Sequence, residues 1–128
     1  MPVEKAKLFS PDVCKAFPNK IFVFGDNDER RGKGGQAIIR DELNAFGIAT
    51  KKAPYVSDWA FYKDTYIYKY LEEWSKDFEA LRIKHLCGRT IVFPEDGLGA
   101  GRAMLPTKAP RSYALLTYLI NDFCEAYK

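Results

Sequence analysis

The stretch that decides the fold is Lys20-Ile-Phe-Val-Phe-Gly-Asp-Asn-Asp-Glu-Arg-Arg-Gly-Lys-Gly-Gly-Gln-Ala37. The apolar residues Ile21 to Phe24 follow Pro18-Asn19 and stop at Gly25. A short continuous apolar run of strand formers reads as a strand buried on both faces. The chain then enters a loop with Gly25, Gly32, Gly34 and Gly35, and opens a helix at about Gln36. Glycine lets the backbone take positive φ and come close to a ligand. A helix N-terminus adds unpaired N–H groups and partial positive charge, so the segment reads as an anion site. It is neither a Walker loop, since no GK[ST] follows, nor a GxGxxG turn directly after a strand.

A second segment, Phe93-Pro-Glu-Asp-Gly-Leu-Gly-Ala-Gly-Arg-Ala-Met-Leu-Pro106, repeats the arrangement. Here Thr90-Ile-Val-Phe93 is the strand, and Gly97, Gly99 and Gly101 form the loop. Ligands of open α/β sheets sit beyond the carboxyl ends of the strands. If the two strands are neighbours, both loops face one crevice, and two phosphate-cradling loops suit a diphosphate.

Further out, Gly47-Ile-Ala-Thr50 is a third strand and Lys7-Leu-Phe9 a fourth candidate. Residues 36–44 read as a helix ending before Gly47. Ile67, Tyr70, Leu71, Trp74, Phe78 and Leu81 recur at three- and four-residue steps, an apolar stripe on a helix over 65–82. Leu115, Leu116, Leu119, Ile120 and Phe123 do the same for a C-terminal helix. Trp74 and Phe78 are read as core. Strands alternating with helices imply an α/β protein, a three-layer α/β/α arrangement with a largely parallel or mixed sheet. No repeat, linker or low-complexity stretch interrupts residues 1–128, which are read as one domain.

Composition narrows the class. Hydrophobic residues are 47% of the 128 and aromatics 15%, which excludes a disordered chain. Net charge is +3, from 20 Lys+Arg against 17 Asp+Glu, with the charges interspersed. That is a weak footprint for nucleic acid. Cys14, Cys87 and Cys124 are widely spaced and His85 is the single histidine, so no zinc site, other metal or cofactor is implied. An odd cysteine count without an apolar signal core suits reduced thiols in a cytosol. No apolar run approaches the ~20 residues of a membrane span. The expectation is a cytoplasmic protein without a membrane partner.

Individual side chains leave alternatives open. Asp26 and Asp28 in the first loop and Asp96 in the second are candidate general bases towards water, or turn and cap residues. Arg30, Arg31, Lys33 and Arg102 suit phosphate, through bidentate guanidinium bonds or a mobile ammonium charge. Their alternative role is a solvated basic edge. His85 precedes an expected buried strand at Leu86-Cys87 and reads as structural, with Cys87 in the core. Tyr55, Trp59, Phe61 and Tyr62 read either as a flap that stacks a base or as a packed connection.

The combination of a strand, an Asn, a GGxA helix start and a later FPxxGxGxG loop resembles the macro domain, an ADP-ribose-binding α/β family. Gly25-Asp-Asn27 and Gly34-Gly-Gln-Ala37 stand where that family has Asn-Ala-Ala-Asn and Gly-Gly-Gly-Val-Ala, and Pro94 to Gly101 match its second loop. Ile21-Phe-Val-Phe-Gly-Asp-Asn27 together with Ile48-Ala-Thr-Lys51 also resembles short macro-like proteins of bacteria and their phages. The likeness covers most of residues 20–120. The Gly-Asp-Ile segment with which macro domains grip adenine has no counterpart near the N-terminus.

The resemblance implies binding of ADP-ribose or a related phosphorylated nucleotide. The ligand set would be Gly25, Asp28, Arg31, Gly32, Lys33, Gly34, Gly35 and Gln36 from the first loop. The second loop would add Gly97, Leu98, Gly99, Ala100, Gly101 and Arg102. Asn27 would hold the distal ribose or a water, or serve only as a turn residue. With Asp26 and Asp96 it would form the catalytic set, were the protein a hydrolase or phosphatase acting on an ADP-ribose derivative. Three alternatives remain at this stage: a nucleotide sensor or sponge without turnover, a single-stranded nucleic-acid-binding protein, and an interaction or structural protein whose glycine loops only turn the chain.

Overall fold

The computed structural model describes residues 3–128. Among these residues are four strands: β1 (Glu4–Ala6), β2 (Lys20–Asn27), β3 (Ala45–Lys51) and β4 (Thr90–Pro94). They pair in the order β1-β4-β2-β3, and every strand pairing is parallel. The expectation of a mixed sheet is corrected accordingly. Among the described residues the one antiparallel pairing is an isolated bridge between Lys51 and Phe61 at the end of β3.

The two apolar runs of the sequence are the two central strands. Each has a neighbour on both sides, and each is buried on both faces, as continuous apolar runs require. Alternation divides them between two cores. Ile21, Val23, Ile91 and Phe93 join one cluster, whereas Phe22, Phe24 and Val92 join the other.

The first face is covered by α2 (Ile67–Leu86) and α4 (Pro110–Ala126), with the short α3 (Leu105–Lys108) packed against α4. Tyr70, Trp74, Phe78 and Leu81 of α2 and Leu116, Ile120 and Phe123 of α4 fill this core. Trp74 also donates its indole N–H to the Ala49 carbonyl at 2.8 Å, so its one polar atom is satisfied inside the core. The second face carries a thinner layer. It consists of α1 (Pro11–Ala16) and the 3₁₀ turn Gly35–Ile39, which contribute Cys14, Ala37 and Ile39. Helix α1 starts where the Ser10 side chain accepts from the Val13 amide, with Pro11 in the first turn.

Several expectations shift. The edge strand is Glu4–Ala6, not residues 7–9. The helix expected over 36–44 is only the five-residue 3₁₀ turn, because β3 already begins at Ala45. Buried Asn44 fixes that junction by donating its amide group to the carbonyls of Cys14, Phe17 and Lys20. No strand forms at Leu86-Cys87. Helix α2 runs through Leu86, and both residues are exposed. His85 lies far from the glycine loops in sequence and packs 4.5 Å from the Tyr127 ring. No helix among the described residues is long and apolar enough to cross a membrane.

Candidate functional site

Because β2 and β4 are neighbours, the loops that leave their carboxyl ends lie side by side. A Cβ added to Gly25 would stand 4.0 Å from the Gly99 amide nitrogen. Between the loops opens a cleft of about 980 Å³, at the upper end of the ~300–1,000 Å³ usual for ligand pockets.

The first loop is held by a buried carboxylate. Asp26 accepts four hydrogen bonds: from the Asn27 amide, from Arg30 Nη1, and from both η nitrogens of Arg40. Those four bonds use all four lone-pair directions of a carboxylate. Arg40 continues to the carbonyls of Arg31 and Gly32, so one guanidinium ties the strand end to the loop. Arg30 has φ of 55°, a left-handed conformation rare outside glycine. It is held there by its bonds to Asp26 and to the Gly47 carbonyl. Asp26 is therefore an organiser of the loop. It has no free lone pair with which to act as a general base.

Asn27 is 6% exposed and lines the cleft. Its Nδ2 donates to the Arg31 carbonyl at 2.8 Å, which fixes the amide orientation. Its Oδ1 is buried without a hydrogen-bond partner. A buried acceptor left unpaired costs roughly 1–3 kcal/mol, so this atom marks a place for a donor.

The second loop depends on glycine at one position. Gly99 has φ of 84°, and its carbonyl accepts the Leu105 amide at 2.9 Å. A Cβ there would stand 3.0 Å from Leu105 Cγ, and the Leu105 side chain is wholly buried. From this loop Arg102 reaches across to the first loop and lies against Gly34. Arg102 has no hydrogen bond or ion pair among the described residues. The amides of Gly34, Gly35, Gly99, Ala100 and Gly101 also find no acceptor among the described residues, and all five residues line the cleft.

The other expected ligand residues divide. Gly25, Arg31, Gly32, Gln36 and Gly97 line the cleft, as does Asp96. The Gln36 side chain folds back to accept the Gly25 amide at 2.9 Å. Arg31 is paired with Glu29 and with the Tyr55 hydroxyl. Asp96 is exposed and has no partner among the described residues. Three residues fall outside the lining. Asp28 turns to the Tyr62 hydroxyl at 2.6 Å, Lys33 pairs with Asp41, and Leu98 is buried in the core. Burial, and then the Asp28 contact, push the Tyr62 hydroxyl far above its ordinary pKa, so it stays a donor.

Sequence reasoning did not assign a role to Lys51. It is 9% exposed, lines the cleft, and donates to the Tyr55 carbonyl at 2.7 Å. Burial, and then the charge of Arg102, hold its ammonium below the ordinary lysine range. Lys51 and Lys108 both lie over the Phe61 ring, at 4.6 and 5.0 Å. Lys51 ends the Ile-Ala-Thr-Lys segment, which is the signal that pointed to it. The helix-dipole argument weakens, because both helical turns next to the loops are short. The attraction for an anion falls to free amides and side-chain cations.

These elements define an α/β protein with a cationic, glycine-walled cleft at the ends of its two central parallel strands. The chain belongs to DUF7831, a family of unknown function, which it matches over residues 4–119. No curated protein and no solved structure matches it.

Proposed function

We propose that the cleft binds ADP-ribose or a related phosphorylated nucleotide, on a fold that is a short version of the macro-domain arrangement. The observation that carries this reading is a common cleft lined by five residues whose amides, like Arg102, have no partner among the described residues. Backbone N–H groups and a guanidinium fork are the donors that a diphosphate takes. Lys51 adds a second cation. The orphaned Asn27 Oδ1 suits a ribose hydroxyl, which is a donor of the right kind. Pro54, Val56, Phe61 and Met104 give the cleft an apolar portion for a base.

Binding without turnover fits the saturated Asp26. A second reading, hydrolysis of an ADP-ribose derivative, rests on Asp96, a cleft-lining carboxylate with free oxygens. It would take a proton from water while the loop amides hold developing charge.

Calorimetric titration with ADP-ribose, with AMP and NAD in parallel, tests the binding reading. Micromolar ADP-ribose binding that weakens about tenfold or more in Arg102→Gln is expected, the scale of a charged hydrogen bond. Absence of heat with every nucleotide into the millimolar range would remove the proposal. Turnover of an ADP-ribose ester that survives in Asp96→Asn would remove the hydrolytic role of Asp96.

A further inference from the structure

The segment after β3 forms a flap beside the cleft. Lys51 bridges to Phe61, and the Lys52 amide donates to the Ala60 carbonyl at 2.8 Å, so residues 52–60 close into a loop. This flap and the turn after it expose three aromatic residues: Tyr55 at 42%, Trp59 at 53% and Tyr66 at 51%. Tyr55 and Trp59 are ring neighbours at 5.7 Å. Only Tyr55 belongs to the cleft lining, so Trp59 and Tyr66 extend the aromatic surface beyond it.

Cations alternate with these rings. Arg31 lies 5.1 Å from the centre of the Tyr55 ring and Lys52 lies 5.3 Å from that of Tyr66. Lys63 and Lys108 approach Asp58 at 3.1 and 3.8 Å. Lys63, Lys108 and Lys52 together hold the Asp58 carboxyl below its ordinary range. Lys52, Lys63 and Lys108 outnumber Asp58 and Asp64 here, while Arg31 is paired with Glu29, so a small excess of positive charge runs on to Lys51 and Arg102.

We propose that this flap is a single-strand nucleic-acid track: a strand's terminal nucleotide enters the cleft and the next nucleotides stack on Tyr55, Trp59 and Tyr66. Exposed rings interleaved with cations are what a flexible polyanion with flat bases recognises. An apolar protein partner would instead leave Lys52, Lys63 and Lys108 desolvated against it. The placement of the terminal nucleotide rests on the cleft reading above, whereas the flap contacts do not.

The test uses the whole chain and a fluorescently labelled oligothymidylate of about six nucleotides, read by anisotropy, a length within the site sizes known for stacking platforms. Binding is expected with a log–log salt slope of about −2, from about three phosphates at roughly −0.7 each. Trp59→Ala and Lys52→Gln should each weaken it, the former by about tenfold or more. Both variants should bind ADP-ribose as the parent does. Absence of oligonucleotide binding, or binding indifferent to both substitutions, overturns the track. If ADP-ribose binds and the oligonucleotide does not, the track alone fails. If the oligonucleotide binds through Trp59 and ADP-ribose does not, the track stands and the ADP-ribose reading fails.

Discussion

The Arg102 guanidinium lies against Gly34, so closely that a Cβ on Gly34 would stand 2.8 Å from its Cζ. Two loops that leave different strands meet at this contact, and among the described residues no carboxylate pairs with the cation. Gly34 has φ of −79° and ψ of 142°, a conformation open to any residue. Its glycine is required by Arg102, not by the backbone.

Gly34→Ala should therefore move Arg102 and weaken ADP-ribose binding several-fold, while stability changes by less than about 0.5 kcal/mol, as for a surface substitution. Gly99→Ala should behave differently. The positive φ and the contact with Leu105 predict a destabilisation of about 1–3 kcal/mol, so loss of binding there would report the fold. Thermal unfolding beside calorimetry on both variants separates the two cases. Equal melting temperatures for Gly34→Ala and Gly99→Ala would contradict the assignment.

The Asp26–Arg40 pair predicts a stability effect. The Asp26 side chain is 3% exposed and that of Arg40 14%, and removal of one partner from a buried ion pair costs roughly 3–5 kcal/mol. Asp26→Asn keeps the shape but removes the charge and turns an acceptor oxygen into a donor facing Arg40. The urea midpoint should fall by an amount equivalent to about 3 kcal/mol. An unchanged midpoint would mean that Asp26 is free for chemistry after all.

How much of this was readable before the structure depends on which interactions are local. β2 and β4 were legible because burial on both faces leaves a continuous apolar run. α2 and α4 were legible because Trp74, Phe78, Leu116 and Ile120 repeat at helical spacing. β1 was not, since a three-residue edge strand carries no periodicity. α1 has a start signal in Ser10-Pro11, but its six residues are too few to show a helical repeat. In the cleft, the glycine loops and Arg102 were visible as motifs. The Asp26–Arg40 pair, the Asp28–Tyr62 bond and the place of Lys51 were not. The first two are contacts between residues 14 and 34 positions apart, and Lys51 feels the charge of Arg102 from the other loop; spacing alone says nothing about such distances.

Asp77, on α2, gives a pH signature. Burial raises its carboxyl to about 6, with Arg30 pulling the other way and Glu73 adding to the rise. Between an unfolded value of about 4 and this folded value, the native state binds more protons than the unfolded one. Stability therefore falls as pH rises from about 4 to about 6, and the penalty is then constant. Asp77→Asn should raise the melting temperature at pH 7.5 and change it little at pH 4. A variant less stable than the parent at pH 7.5 would show that the ionised carboxylate is favourable there.

Asp64 predicts the opposite slope. It sits in the 3₁₀ turn before α2 but caps α4, where its oxygens accept the Arg111 amide, the Ser112 amide and the Ser112 hydroxyl at 2.8–3.0 Å. Partial burial works against its charge. The Ser112 and Arg111 hydrogen bonds outweigh that and hold the carboxyl below its ordinary range. A depressed folded value contributes stability that is complete above the unfolded value of about 4 and is lost as pH falls through the folded one. Asp64→Ala should cost about 1–2 kcal/mol at pH 7, the scale of a lost helix cap. The gap between parent and variant should narrow as pH drops below 4. Melting curves at pH 7, 5 and 3 measure it, and a gap that stays constant across the three would show that the carboxylate charge takes no part in holding the start of α4.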